Sequence, residues 1–375
     1  MIGMADAITS ALELAVRDGV FPGAVLLVQE GSIIKRCDVV GAATLAPSPE
    51  PMTRGTLFDL ASLTKPIATA TAVLRMIQRG LLSLDQPVAT WLPAFTGDGK
   101  ARVTLFHLLN HSSGLPAWKP LYKSIEPPEA GQANARLHAQ ILAEPLVYPT
   151  GSRSVYSDLG FILLGLIVEQ ASGRRLDRFC REELFAPLAM DSTGFRPRDR
   201  PELASRSFAA TEQCAWRGRL LRGEVHDENC FALGGVCGHA GLFAPADDLA
   251  RFVAALLAAD QGRGEGPFAG VPPILLDQFL SRRSTPGSSW GLGWDTPSEP
   301  SSSGRWFSPR SCGHLGYTGT SLWVDRDRGW SVLLLTNRVH PTTRNTKISS
   351  FRPLIHDLVA QTYFSLSPQI RPAAN

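Results

Sequence analysis

Ser62 and Lys65 stand three residues apart in Phe58-Asp-Leu-Ala-Ser-Leu-Thr-Lys-Pro66, at the head of a run of good helix formers over 67–79. A serine hydroxyl is a weak nucleophile until a neighbour takes its proton. A lysine whose ammonium is destabilised by burial can help to take it. Spacing of i, i+3 on a helix puts both side chains on one face. The N-terminal end of that helix adds backbone donors and a positive dipole end where an oxyanion would develop. Alone, Ser-x-x-Lys better describes an N-capping serine followed by a solvated lysine. The rest of the chain has to decide.

Two further groups carry matching chemistry. Tyr156-Ser-Asp158 lies just ahead of a strongly apolar helix expected over 159–170, so that a short loop presents Tyr156 to a cleft. His314-Leu-Gly316, followed by Tyr317-Thr-Gly-Thr320, leads into an expected strand over 317–324, where small residues let a substrate approach closely. His111, in His-Ser-Ser-Gly-Leu-Pro116, reads as loop architecture. Trp290 and Trp294 read as core or rim aromatics. His226, Asp227, Glu228, Cys230, Cys237 and His239 carry metal-ligating atoms, but their spacing fits no common zinc site. The interleaved glycines suit a tightly turned loop lining the cleft. No metal and no cofactor are expected.

Around these residues the pattern calls for an N-terminal amphipathic helix over 1–19, then strands over 24–29 and from Ile33 through Val40 joined by a turn at Glu30-Gly-Ser32. Gly80 ends the helix that carries Lys65, and Pro66 falls in its first turn, where it is tolerated. Thr104 caps a short helix over 105–109, and others are expected over 133–144, from 173, and over 246–260. Residues 196–223 read as connectors and 284–311 as a Ser/Gly/Pro-rich stretch. Strands return at 317–324 and 330–336, before a terminal helix over about 349–363. Strands at both ends and helices between them imply an α+β chain, one sheet assembled from both termini around a helical insertion.

A chain of 375 residues, 44% hydrophobic and 19% charged, has an ample core. Its net charge of +3, with no basic run, excludes nucleic acid as an expected partner. The first residues lack a charged segment followed by an apolar run, so neither an export signal nor a membrane span is expected. The six cysteines are scattered without framework spacing, which points to free thiols and a reducing cytoplasm.

Ser62-x-x-Lys65, then Tyr156-x-Asp158, then His314-Leu-Gly-Tyr-Thr-Gly319 form an ordered set. It resembles that of the serine β-lactamase and penicillin-binding protein superfamily, nearest its class C β-lactamase-like branch of hydrolases, esterases and D-amino-acid peptidases. The resemblance also covers 108–116, 148–151 and 225–241, and so nearly the whole chain. It implies one β-lactamase/transpeptidase-like domain, with an antiparallel sheet region over about 1–60 and 305–375 and a mainly helical region over about 61–304. It further implies Ser62 as the acylated nucleophile, Lys65 as its proton shuttle, and Tyr156 as a general base with its pKa lowered by neighbouring cations. The N–H groups of Ser62 and Tyr317 would form the oxyanion hole. His314, Gly316 and Asp158 would border the substrate.

The chain departs from the family pattern at two places. Asp158 replaces the usual Asn, adding a carboxylate that can pair with Lys65. His314-Leu315 replaces Lys-Thr, leaving an anion clamp charged only below an imidazole pKa near 6.5. The expected activity is therefore an esterase or amidase acting on a small molecule rather than an efficient β-lactamase. A β-lactamase or D-amino-acid peptidase is the alternative, and a catalytically silent scaffold a further one. Neither the oligomeric state nor the physiological substrate is specified by these residues.

Overall fold

The computed structural model describes residues 4–125 and 134–364. The expected helix starts at Met1 and Ala133, and the end of the 305–375 region, lie outside the described residues. Six antiparallel strands form the main sheet, in the order Glu50–Pro51, Ile33–Thr44, Gly23–Glu30, Trp330–Thr336, Ser321–Asp325, Cys312–Leu315. The first and last parts of the chain meet at its centre, with Ala24 opposite Thr336 and Glu30 opposite Trp330.

Both central strands read as continuous apolar runs because both faces are covered. Leu26, Val28, Val332 and Leu334 pack under the terminal helices Met4–Arg17 and Ile348–Tyr363, together with Ile8, Leu12, Ile355 and Val359. Val25, Leu27, Leu333 and Leu335 face the helical region and share a core with Phe161, Leu163 and Phe252. Each such side chain stabilises the fold by about 1.5–3 kcal/mol on burial.

Local structure departs from expectation in three places. The segment expected as one helix winds in three ways: a 3₁₀ turn at Ala61–Leu63, a wider π-type stretch at Lys65–Ala70, and α-helix only over Thr71–Gln78. Pro66 supplies no N–H to a regular ladder, and the Thr71 hydroxyl donates to its carbonyl (2.8 Å). The expected strand over 317–324 divides instead. Cys312–Leu315 and Ser321–Asp325 are paired strands, and 316–320 is the turn between them. Gly316 allows it, since a Cβ there would lie 2.0 Å from Thr320 Oγ1 and 2.5 Å from the Leu60 carbonyl. Finally, the connector region holds a hairpin, Ala210–Cys214 with Arg219–Arg222.

A small sheet positions the site. Phe58–Asp59 pairs with Leu242–Ala244, which pairs with Gly194–Phe195. It draws the glycine-rich loop against the segment that carries Ser62. Behind it, the fifteen-residue helix Asp158–Ser172 is capped by Ser157, whose hydroxyl accepts from the Gly160 N–H (3.3 Å). Among the described residues no helix is long and apolar enough to cross a membrane.

Candidate active site

Ser62 lines a cavity of about 350 Å³ together with Tyr156, Trp290, His314, Tyr317 and Arg352. The residue before it, Ala61, is held at φ +47°, a left-handed conformation that costs a non-glycine residue about 1–2 kcal/mol. Buried Asp59 holds it there. One carboxylate oxygen accepts from the Ala61 N–H (2.9 Å) and the other from the His226 N–H (2.6 Å). The Thr318 hydroxyl donates to the Asp59 carbonyl and that of Thr320 to the Leu60 carbonyl, tying the 316–320 turn to the same segment. Burial raises the Asp59 pKa despite its two amide donors. The sequence reading missed Asp59, although an acid immediately preceding a candidate nucleophile segment is a signal.

Lys65 is fully buried. Its Nζ donates to Ser62 Oγ (2.9 Å) and to the His239 carbonyl (3.1 Å), and lies 2.6 Å from Asp158 Oδ1. These three acceptors suit an ammonium. Burial alone would favour the amine, but the carboxylate of Asp158 and the hydroxyl of Tyr156 outweigh it and raise the Lys65 pKa. Tyr156 hydrogen-bonds to Lys65 and Ser62 and lies under the ammonium, its ring centroid 4.8 Å from Nζ. Its expected low pKa is corrected. Desolvation exceeds the pull of Lys65, the pKa is raised, and Tyr156 rests as a neutral phenol.

Aromatic packing orients Tyr156. His111 lies 4.6 Å from it centroid to centroid, Trp290 5.3 Å and His314 5.9 Å. His111 Nδ1 accepts from the Ser157 N–H (3.1 Å), so the ring supports the loop from beneath. Trp290 is thus part of the cavity wall, while Trp294 is core.

His314 borders the cavity, but its expected titration near 6.5 is also corrected. The ring is 2% exposed, and burial, with Lys65 adding to it, depresses the pKa to about 3 against the opposing hydrogen bond to the Leu315 carbonyl. Nδ1 donates that bond (2.7 Å), which leaves Nε2 an acceptor without a partner among the described residues. The imidazole stays neutral between pH 6 and 8 and cannot act as a pH-dependent anion clamp.

Two arginines that the sequence reading missed line the same cavity, Arg338 and Arg352. Arg352 is buried, and its Nη2 donates to the carbonyls of Gly316 (2.9 Å) and Thr320 (3.0 Å). Arg338 donates to the Tyr317 carbonyl from Nε (2.9 Å) and lies over the Tyr317 ring. Neither pairs with a carboxylate among the described residues. The available signal was an arginine within the apolar stripe of Ile348, Phe351, Ile355 and Val359.

The glycine-rich loop packs behind Lys65. Gly238 sits where a Cβ would come 2.0 Å from the Phe161 carbonyl, and its own carbonyl accepts from Thr69 Oγ1 (2.7 Å). His239 Nε2 lies 2.9 Å from Asp227 Oδ1. Among the described residues no group of three or more His, Cys, Asp or Glu side chains is placed to hold a metal ion.

His111, His314 and His356 are buried and held neutral, at well below the ordinary value, about 3 and about 4 respectively, by desolvation first. A lowered folded pKa leaves stability complete above the unfolded value of about 6.5 and removes it as pH falls. Each such histidine forfeits about 1.4 kcal/mol per pH unit below about 6.5. His239, raised to about 10 by Asp227 against burial, works the other way: its contribution is complete below about 6.5 and declines as pH rises past it, so it offsets part of the fall between pH 7 and 6. Thermal unfolding followed from pH 7 to 5 should show a falling Tm, with a shallower fall in His314→Gln. An equal slope in the variant would contradict the assignment of His314 as a buried neutral group.

A family model described as Beta-lactamase matches residues 7–352. A Bacillus subtilis protein named N-acetylmuramyl-L-alanine amidase is 35% identical over 357 residues, covering 85% of this chain and 78% of its own. A Salmonella typhimurium protein named putative D-alanyl-D-alanine carboxypeptidase is 31% identical over 350 residues, covering 88% and 80%. Two solved structures share the fold. EstCE1, a hydrolase with promiscuous acyltransferase activity, has TM-score 0.73 at 24% identity, covering 95% of this chain and 98% of its own. Simvastatin synthase LovD from Aspergillus terreus has TM-score 0.75 at 21% identity, covering 98% and 100%.

Proposed function

This chain belongs to the Beta-lactamase family and is a serine hydrolase, and from that premise we propose that it acts through an acyl-enzyme on Ser62, cleaving an ester or amide of a small carboxylate-bearing molecule. The observation that carries the reading is the 2.9 Å contact of Lys65 Nζ with Ser62 Oγ in a cavity wall completed by Tyr156. With Lys65 charged at rest, the ammonium first gives up a proton to solvent, leaving the neutral amine that burial favours while Asp158 holds its Nζ in place. The amine takes the serine proton as Oγ attacks the carbonyl carbon. Tyr156, protonated at rest, delivers a proton to the leaving group and then draws one from the deacylating water. The N–H groups of Ser62 and Tyr317 receive the oxyanion.

The carboxylate preference rests on Arg352 and Arg338, two cations on the cavity wall without acidic partners among the described residues. The name of one relative, putative D-alanyl-D-alanine carboxypeptidase, supports the same class of substrate. One observation favours a second reading, hydrolysis of neutral esters: His314 stays uncharged and Leu315 is apolar where the superfamily carries Lys-Thr.

A panel of D-amino-acid dipeptides, a chromogenic cephalosporin and neutral aryl esters separates the two. Arg352→Gln should lower kcat/KM on carboxylate substrates by about 10–100-fold while leaving aryl esters within about twofold. Equal losses on both classes, or faster turnover of neutral esters in the parent protein, would favour the second reading.

A further inference from the structure

A cavity of about 670 Å³, larger than the one at Ser62 and sharing no lining residue with it, lies along residues 234–238 of the glycine-rich loop. None of the Ser62, Lys65 and Tyr156 side chains lines it, whereas Cys237 does. Its rim includes Arg175, whose side chain is 61% exposed, so the cavity communicates with solvent. Cys237 is 5% exposed at its wall, and its thiol lies beside that of Cys230, which is fully buried on the short helix Glu228–Ala232 and whose Sγ donates to the Ala240 carbonyl (3.3 Å). The thiol of Cys237 also faces His239, whose buried Nδ1 has no hydrogen-bond partner among the described residues and whose Nε2 is paired with Asp227. Asp227 Oδ1 accepts from the Cys230 N–H as well (2.7 Å), so one carboxylate oxygen holds both the imidazole and the backbone of the second cysteine.

We propose that Cys237 is a hydroperoxide-reactive thiol with Cys230 as its disulfide partner, and that this modification reaches the hydrolytic site through the backbone of 238–239. The His239 imidazolium stabilises a thiolate on Cys237. Cys237 is accordingly poised at about 7, desolvation being overcome by Cys230 and His239, while burial and the neighbouring thiol push Cys230 well up. The less enclosed thiol of the pair, at the cavity wall, is therefore the attacking one.

The thiolate sulfur attacks one peroxide oxygen. An S–O bond forms, the O–O bond breaks, and the departing alkoxide takes the His239 proton, leaving a two-electron-oxidised sulfenic acid and an alcohol. The Cys230 sulfur then attacks the sulfenic sulfur, and its proton leaves with the hydroxyl as water. His239 regains a proton from solvent. Overall, two thiols and one hydroperoxide become a disulfide, an alcohol and water.

The link to hydrolysis is covalent and short. The residue after Cys237 is Gly238, wedged against Phe161 and bonded to Thr69, and the next is His239, whose carbonyl holds Lys65. Drawing the two free sulfurs to the roughly 2.05 Å of a disulfide must shift this segment. All six cysteines are free in the structure, which provides internal controls. Cys37 is more accessible than Cys237, while Cys180 and Cys312 are fully enclosed, with thiols that burial pushes up, Cys312 to about 12.

The test treats the whole protein with hydrogen peroxide and reads each cysteine by dimedone trapping and non-reducing peptide mapping. Cys237 should react at least about tenfold faster than Cys37, a Cys230–Cys237 linked peptide should accumulate, and dithiothreitol should reverse it. Cys230→Ala should stop at a dimedone-reactive Cys237. Ester hydrolysis should fall several-fold with disulfide formation in the parent and be unaffected by peroxide in Cys237→Ala. Reaction at Cys37 first with Cys237 untouched would overturn the site. A disulfide without loss of turnover, or equal loss in Cys237→Ala, would overturn the coupling. The labelling arm is independent of whether Ser62 is the nucleophile.

Discussion

Ser62→Ala loses hydrolysis by at least about 10⁴-fold in kcat/KM and no longer reacts with a fluorophosphonate probe, while its thermal unfolding stays within about 1 kcal/mol of the parent. The first two effects follow from removing the only atom that would form the acyl bond; the residual rate comes from whatever oxyanion stabilisation and binding survive. The third follows because Ser62 is only partly buried and contributes one hydrogen bond to Lys65, which keeps two other acceptors in Asp158 and the His239 carbonyl. Intact-protein mass spectrometry with a slowly deacylated substrate adds an independent check, since the mass increase should map to the peptide bearing Ser62. Labelling that persists in the variant would sink the assignment of the nucleophile.

Lys65→Ala should cut kcat/KM by about 10²–10⁴-fold, the span of a positioned proton-transfer group. It leaves Asp158 facing Tyr156 with no cation between them. Partial refolding effects are separable through a second variant, Asp158→Asn. Asp158 is the leading group that holds the Lys65 pKa up, so removing its charge lets burial lower that pKa. If the amine form of Lys65 takes the serine proton, the acid limb of the pH–kcat/KM profile then moves to lower pH. The sign is specific, because loss of a merely structural contact would lower the plateau without moving the limb. A limb that stays in place while activity falls would remove Lys65 and Asp158 from the proton path and leave them as supports of Ser62.

What the sequence determined by itself is local. Ser62 and Lys65 at i, i+3 share a face in a 3₁₀ turn as in an α-helix, which is why the pair was legible although the segment turns as 3₁₀, π and α in succession. The continuous apolar runs at 24–28 and 330–335 required a sheet covered on both faces, and the 159–170 run a buried helix. The order of the three motif groups was enough to name the superfamily. Tertiary structure decided everything that depends on distant residues meeting. Asp59 bridges Ala61 to His226 across 167 positions of chain, and no periodicity encodes that. Arg352 reaches the cavity because the terminal helix packs over the 316–320 turn. The turn itself arises where two glycines remove the side chains that would have continued a strand. Protonation was the least legible property. A motif gives the neighbours of Tyr156 and His314, but their pKa values follow from desolvation summed over all the groups packed around them, and that sum outweighs the single cation the motif supplies.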